Sequence, residues 1–168
     1  PAEVLAAASR KTAFAADETS TRYALGGVYF ERDGDTLILV STDTRRLSVV
    51  ECKAEFRGEF VSLPIPAKAM KAIQSLGEND VTIRTGKNRA SFATDDTTIV
   101  CRPIEGRFPR WKDVIPKGNG VEVALATQPF AAAILQAMVV TNEESRGVAF
   151  AFSEGSVKLT AASTESGE

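Results

Sequence analysis

The chain has 168 residues, of which 43% are apolar and 25% are charged, as in ordinary soluble globular proteins. Its formal net charge of −2 argues against tight binding to nucleic acid by phosphate contacts alone. It contains no histidine, which excludes a Ser-His-Asp triad and removes the usual general base and transition-metal ligand. We therefore expect no catalytic residue, no metal site and no cofactor.

The two cysteines, Cys52 and Cys101, both lie in strand-like segments. Their spacing forms neither a disulfide framework nor a metal knuckle, so we interpret both as reduced, small apolar side chains. Reduced thiols are typical of the cytoplasm, which is the location we expect. No run approaches the roughly 18 consecutive apolar residues of a membrane-spanning helix. The first residues, PAEVLAAASRK, lack the apolar run of a signal peptide.

Residues 1–103 predict a helix, three strands, a short strand, a second helix and three further strands. The first helix is the alanine-rich segment 2–16, with Arg10 opposite its buried face. The face that we expect to be buried contains Leu5, Ala8, Ser9 and Thr12. The second helix, AKAMKAIQSLG, has Lys68 and Lys71 on its outer face. Its inward side chains are predicted to be Met70, Ile73 and Leu76.

The same pattern begins again after the segment IEGRFPRWKDVIPKGNG. There VEVALAT predicts a strand and TQPFAAAILQAMVVTN a helix, with Thr127 as its N-cap and Pro129 in its first turn. The hairpin that begins at Gly26 matches one that begins at Arg146, 120 residues later, with one residue dropped in the turn. A repeat of this length indicates two copies of one fold joined by a linker.

The linker also separates a basic part of the chain from an acidic one. Up to Gly118 there are 18 basic and 16 acidic residues, and from Asn119 onward there are 2 and 6. The linker contains the only tryptophan, Trp111. We interpret Trp111 as a structural anchor that packs between the linker and a domain face.

Five stretches of the chain carry a resemblance to a known family. They are RYALGGVYFE, LVSTDTRRLSVV, LPIPAKAMKAI, IEGRFPRWKDVIP and TNEESRGVAFAF. In their order and spacing they resemble the bacterial DNA polymerase III beta subunits, the replicative sliding clamps. The resemblance implies an α+β DNA-clamp fold, in which units of a helix plus antiparallel strands repeat within and between domains. It further implies a middle clamp domain at 1–103 that lacks its first strand, a linker at 104–120, and the first half of a third domain at 121–168.

The resemblance implies a function in DNA replication without catalysis. In that family two three-domain chains close head to tail into a homodimeric ring, with helices lining the hole and sheets outside. Duplex DNA passes through the hole and is held by topology, without sequence specificity. The implied partners are this DNA, the DNA polymerase III catalytic subunit, the clamp loader and other clients that carry a Gln-Leu-x-Leu-Phe type peptide. A membrane is not among them, and we expect this chain, as a fragment, not to close a ring.

The resemblance also implies two sets of functional residues. The client peptide would bind between domains two and three, at Leu25, Thr42, Thr44, Arg45, Arg46, Leu47, Pro109, Asp113, Val114 and Ser145. DNA would face Arg10, Lys11, Arg22, Tyr23, Lys68 and Lys71. An apolar hollow for the Leu-Phe pair would be formed by Leu25, Leu47, Pro109 and Val114.

Some positions depart from the family pattern. Asp113 stands where a basic residue is common, Ser145 where an apolar or aromatic one is common, and Ala24 where a second aromatic residue often follows Tyr23. The helix PFAAAILQAMVVTN has no basic residue. Two alternatives are a peptide-binding adaptor that does not encircle DNA, and an enzyme on a strand-rich repeat scaffold, which would need carboxylates gathered in one cleft.

Overall fold

A computed structural model describes residues 1–19, 24–118, 120–141 and 147–161. The chain divides into two compact units, Pro1–Pro116 and Lys117–Glu168. The helices in the described part are α1 (Ala2–Thr12), α2 (Ala67–Ile73) and α3 (Thr127–Met138). The strands of the first unit are β1 (Gly27–Asp33), β2 (Thr36–Thr42), β3 (Leu47–Lys53), β4 (Leu63–Pro66), β5 (Thr82–Gly86), β6 (Arg89–Ala93) and β7 (Thr98–Cys101). Those of the second unit are β8 (Val148–Ser153) and β9 (Ser156–Ala161).

The first unit is built from two antiparallel sheets and two helices. One sheet has the strand order β3-β2-β1-β4 and the other has the order β5-β6-β7. The order of elements along residues 1–103 is the predicted one. The structure thus confirms the α+β prediction for this part of the chain.

Successive side chains of a strand point to opposite faces of the sheet, so the four-stranded sheet has two apolar faces. Val28 and Phe30 of β1 belong to the main core, which also includes Leu39 of β2. The ring of Phe30 meets the ring of Phe92 edge to face, with centroids 5.8 Å apart, and this contact joins the two sheets. Each such side chain contributes about 1.5–3 kcal/mol when it is fully buried. The opposite face carries Tyr29, which packs against a second, smaller cluster.

Helices α1 and α2 cover the core face, and their predicted faces are confirmed. All seven predicted inward side chains are buried: Leu5, Ala8, Ser9, Thr12, Met70, Ile73 and Leu76. The two helices are tied together because the Ser9 hydroxyl donates to the Met70 carbonyl at 2.8 Å. Gln74 Nε2 donates in turn to Ser9 Oγ at 3.1 Å. Arg10 is exposed, as predicted.

Pairing of β1 with β4 requires a glycine at position 27. A Cβ placed there would lie 2.1 Å from the Ile65 carbonyl oxygen and 2.9 Å from Cδ1 of Ile104. Gly27 is paired with Pro66, at the end of the β1–β4 ladder. The glycine therefore allows β4 to approach β1 closely.

Both thiols, Cys52 on β3 and Cys101 on β7, are free and half-buried. Both side chains pack against the main core. Burial raises the pKa of the Cys52 thiol and of the Cys101 thiol above the ordinary value. This agrees with their interpretation as small apolar side chains.

The second unit repeats the first hairpin of the chain. In β1–β2 the last pair before the turn is Asp33 with Thr36, and in β8–β9 it is Ser153 with Ser156. The offset is 120 residues on both sides of the turn. The prediction that one residue is dropped in the turn was wrong, because both turns contain two residues.

Two further predictions for this unit were wrong. Residues 121–126 form no strand, because β8 and β9 pair only with each other in the described part, so this segment has no ladder partner. Thr127 is the first helical residue and Ala126 is the N-cap. The Phe130 amide donates to the Ala126 carbonyl at 3.2 Å, so the helix begins one residue earlier than predicted.

Candidate functional site

The turn between β2 and β3 is held by its own polar side chains. Both Arg45 N and Arg46 N donate to Asp43 Oδ1 at 3.0 Å, and Arg46 Nε donates to Asp43 Oδ2 at 2.9 Å. The Thr42 hydroxyl donates to the Arg46 carbonyl at 2.7 Å and accepts from Thr44 N at 3.1 Å. The backbone hydrogen bond from Arg46 is the main reason that the pKa of Asp43 lies below its ordinary value.

This bonding fixes Arg46 and leaves Arg45 exposed. The Arg46 guanidinium lies over the Phe14 ring, 5.3 Å from its centroid, in a cation–π contact. Phe14 belongs to the 3-10 turn Ala13–Ala15 that follows α1, and it is 58% exposed. Thr44 has φ 76, a conformation that side-chain hydrogen bonding in the turn helps to hold. Arg46 is therefore a fixed part of the surface.

The linker segment 104–116 packs on the second apolar face of the four-stranded sheet. Its Phe108 and Trp111 are 8% and 7% exposed, and they cluster with Ile38 and Val40 of β2. The Phe108 ring stacks on the Tyr29 ring with centroids 4.8 Å apart and planes 5° apart. We call this set the linker cluster.

Leu47, the first residue of β3, packs against the linker cluster. Leu47 is paired with Thr42 across β2 and β3, so it lies at the base of the polar turn. The base of the turn and the linker therefore lie on one face of the first unit.

Glu31 on β1 anchors the linker through two consecutive residues. Trp111 Nε1 donates to Glu31 Oε2 at 2.9 Å, and Lys112 Nζ donates to Glu31 Oε1 at 3.0 Å. Lys112 Nζ also lies 3.9 Å from Asp33 Oδ2. The hydrogen bond to Glu31 raises the pKa of Lys112. The interpretation of Trp111 as a structural anchor is confirmed.

The exposed faces of α1 and α2 form a basic surface. Arg10 and Lys11 lie on α1, and Lys68 and Lys71 lie on α2, all exposed to solvent. Lys71 Nζ pairs with Glu18 Oε1 at 3.1 Å. The positive charge of this surface is therefore reduced at one of its four positions.

A family profile described as the central domain of the DNA polymerase III beta subunit matches residues 1–110. The chain belongs to this family. The beta sliding clamp of Chlamydia pneumoniae is 30% identical over 174 aligned residues, which cover 100% of this chain and 47% of that protein. The beta sliding clamp of Escherichia coli K12 is 28% identical, over 94% of this chain and 44% of that protein.

Solved beta subunit structures have the same fold. The DNA polymerase III subunit beta of Pseudomonas aeruginosa superposes with a TM-score of 0.91 at 27% identity, covering 98% of this chain and 46% of that one. The predicted DNA-clamp fold is thereby confirmed. The chain spans less than half the length of these beta clamp relatives.

Most of the peptide-binding residues that the clamp resemblance names lie in two segments of the first unit, the turn between β2 and β3 and the linker. The turn residues 42–46 precede Leu47, which packs against the linker cluster. Of the linker residues, Pro109 is half-buried, whereas Asp113 and Val114 are exposed. Leu25 is only 3% exposed, so it offers little surface to the predicted apolar hollow. Their role in peptide binding stays a prediction.

Three of the named clamp positions lie outside the described residues. They are Arg22, Tyr23 and Ser145. The DNA-facing role of the basic residues on α1 and α2 also stays a prediction. The structure adds only that their side chains point to solvent.

Sequence reasoning missed Glu31 and Phe108. Strand alternation could have found Glu31, because it is two residues from Tyr29 and therefore points to the same face of β1. Nothing local to the sequence distinguishes Phe108 as a stacking partner of Tyr29, since the two residues are 79 positions apart.

The described ranges contain no group of three or more His, Cys, Asp or Glu side chains that could hold a metal ion. No helix within them has both the length and the apolar character needed to cross a membrane.

Proposed function

We propose that this chain is part of a sliding clamp, a non-catalytic processivity factor of the replicative polymerase in the bacterial cytoplasm. In a protein of full clamp length it would encircle duplex DNA as a homodimeric ring. It would tether the polymerase III catalytic subunit, the clamp loader and other clients through a Gln-Leu-x-Leu-Phe type peptide. The observation that carries this proposal is the docked linker, since the linker cluster packs against Leu47 at the base of the turn 42–46.

We call the proposed binding surface the peptide wall. It has the chemistry that such a ligand needs, and it consists of the apolar residues Leu47, Pro109 and Val114 and the polar residues Arg45, Arg46 and Asp113. Val114 is 67% exposed and, with Leu47 and Pro109, offers apolar surface to a Leu-Phe pair. Burying two such side chains contributes about 3–6 kcal/mol, and ordering a flexible peptide offsets a large part of this. Binding at about micromolar strength is the expected result. Such binding suits clients that exchange.

The polar residues of the wall divide into fixed and available groups. Arg46 is engaged by Asp43 and Phe14, so it shapes the wall, whereas Arg45 is exposed and can donate to peptide carbonyls. Asp113 is exposed and acidic. We expect Asp113 to favour peptides with a basic residue beside the Leu-Phe pair.

We propose that the middle clamp domain comprises residues 1–103, the linker residues 104–120 and the third domain residues 121–168. The compact unit Pro1–Pro116 is longer than the proposed middle domain because the docked part of the linker packs onto it. The linker thus supplies the wall of the peptide site as well as the connection.

The basic surface of α1 and α2 supports a role in DNA sliding. Its four basic residues, together with Arg22 and Tyr23, are proposed to face the duplex. A ring holds DNA by topology, so its inner surface needs only a mildly positive potential. The ion pair of Lys71 with Glu18 keeps that potential low.

The test is titration of a fluorescent Gln-Leu-x-Leu-Phe peptide into a protein of full clamp length that contains this chain, and into the chain itself. We expect binding at about micromolar strength for the longer protein and weaker binding for the chain. Leu47→Asp should abolish binding, because it places a charge in the apolar wall.

The matched control is Val100→Asp, which changes an exposed apolar residue, 61% exposed, on β7 of the other sheet. It should bind as the unmodified protein does. Thermal melts of both variants verify folding. Equal peptide affinity for Leu47→Asp and the unmodified protein would sink the proposed peptide site.

A further inference from the structure

We propose that Glu31 is a positioning residue for client-peptide binding, acting on the peptide wall through Trp111. The inference rests on the proposed function. Glu31 is not one of the residues that the family resemblance names. It makes no hydrogen bond to the wall residues Pro109 and Val114 themselves, and its effect passes through the linker backbone.

Glu31 binds two side chains of the linker. The Glu31 side chain is 23% exposed, and each of its carboxylate oxygens accepts from a different linker side chain. Oε2 accepts from the Trp111 indole and Oε1 from the Lys112 ammonium. Hydrogen bonds to a charged acceptor are stronger than neutral ones. One strand residue therefore fixes two consecutive linker residues.

The backbone of Trp111 is hydrogen-bonded to two residues of the wall. Trp111 N donates to the Pro109 carbonyl at 2.9 Å, and Val114 N donates to the Trp111 carbonyl at 3.3 Å. Both apolar wall residues of the linker are thus bonded directly to the Trp111 backbone. A shift of Trp111 would move Pro109 and Val114 relative to Leu47, which stays in the sheet.

Removal of the Glu31 side chain would disturb one part of the linker and leave another part attached. The indole N–H would lose its acceptor in a site where Trp111 is 7% exposed, and an unpaired buried donor is unfavourable. Phe108 would still stack on Tyr29. The linker would therefore stay attached upstream, and the disturbance would be confined to the wall segment.

The experiment compares Glu31→Ala, Glu31→Gln and Glu51→Ala. Glu51 is the matched control because Glu31 and Glu51 both pair with Ile38, from opposite neighbouring strands. It is exposed and makes no hydrogen bond to the described part of the linker. Since Trp111 is the only tryptophan of the chain, its fluorescence, excited at wavelengths that tyrosine does not absorb, reports on this residue alone.

We expect Glu31→Ala to shift the Trp111 emission to longer wavelength and to weaken binding of the peptide about tenfold, because both hydrogen bonds that Glu31 accepts from the linker are lost. Glu31→Gln should recover much of both, because its amide oxygen can still accept from the indole. Glu51→Ala should change neither. Emission is measured on the chain, and peptide titration on both the chain and the protein of full clamp length.

Unchanged peptide affinity in Glu31→Ala, with or without an emission shift, overturns this inference while the proposed function stands. Equal losses in Glu31→Ala, Glu31→Gln and Glu51→Ala overturn it too, since they would reflect general destabilisation. If the unmodified protein of full clamp length does not bind the peptide, the proposed function fails, and this inference fails with it.

Discussion

Single residues decide how firmly the proposed peptide surface is built. Asp43 caps the turn by accepting two backbone hydrogen bonds and one from the Arg46 side chain. Arg46 in turn covers Phe14. The turn is therefore pre-organised before any ligand arrives, which reduces the ordering that binding requires.

The lowered pKa of Asp43 predicts a pH dependence. A carboxyl whose pKa falls on folding stabilises the folded state above its unfolded pKa, and this stabilisation is lost as pH falls through the folded value. The ordinary value is 3.8, so the contribution should be complete near neutral pH and lost below 3.8. In Asp43→Asn the unfolding free energy should fall less steeply over this acid range.

Urea unfolding at a series of pH values measures this slope. Asp95→Asn is the control, because Asp95 is an exposed carboxylate in the turn between β6 and β7. A slope for Asp43→Asn that matches the unmodified protein would show that the turn does not depend on this carboxylate.

At the same scale, the sequence predicted some residues well and others not at all. The buried faces of α1 and α2 followed from the spacing of apolar and small residues, because helical periodicity is a local property. The anchor role of Trp111 could be inferred since a lone tryptophan in a charged linker needs a packing surface. Strand alternation places Glu31 on the same face as Tyr29, but its pairing with Trp111 could not be inferred, because that pairing depends on how a segment 80 residues away returns to the sheet.

Elements are held in register by close backbone approaches. The β1–β4 ladder depends on Gly27, where any Cβ would meet the Ile65 carbonyl at 2.1 Å. The segment after β7 then adds to the same edge, because Ile104 N donates to the Pro64 carbonyl at 2.9 Å. The start of the linker is thus tied to the sheet through β4.

Gly27→Ala should destabilise the first unit by at least about 2 kcal/mol, since backbone must move to admit the methyl group. Gly86→Ala is the matched control, because its nearest neighbour would be the Arg89 carbonyl oxygen at 3.7 Å. The control should change stability by no more than about 1 kcal/mol. Chemical denaturation measures both, and equal stabilities would contradict the argument.

Element prediction failed where a partner was missing from the local sequence. The segment 121–126, VEVALA, is apolar except for Glu122 and so resembles a short buried strand. A strand forms only when another strand accepts its hydrogen bonds. The hairpins succeeded because each carries its own partner across a two-residue turn. Local pattern is therefore sufficient for hairpins and insufficient for isolated strands.

For the whole molecule, the proposed ring predicts topological binding. A protein of full clamp length that contains this chain, once loaded, should stay on nicked circular DNA at roughly 0.5 M salt, where charge contacts are screened. It should leave the same DNA after linearisation. Retention is measured by gel filtration of labelled protein with the plasmid.

Lys68→Gln serves as the charge control and should leave retention on circles unchanged, because topology holds the ring. Loss of the protein from circular and linear DNA alike would favour an adaptor that does not encircle DNA. At the scale of the whole molecule, the ordered motifs were sufficient to predict the family. The residues that contact DNA could not be predicted in the same way, because contacts in the proposed ring depend on more than one chain.

The two half-buried thiols allow local opening of the two sheets to be followed chemically. Cys52 lies in one sheet and Cys101 in the other, and burial keeps the pKa of each thiol raised. Only the thiolate reacts with alkylating reagents, so partial burial and the raised pKa slow modification in the folded state, and separation of a strand from the core should accelerate it. The alkylation rate of each cysteine therefore reports on local opening of its own sheet, and the two rates follow the opening of the two sheets separately.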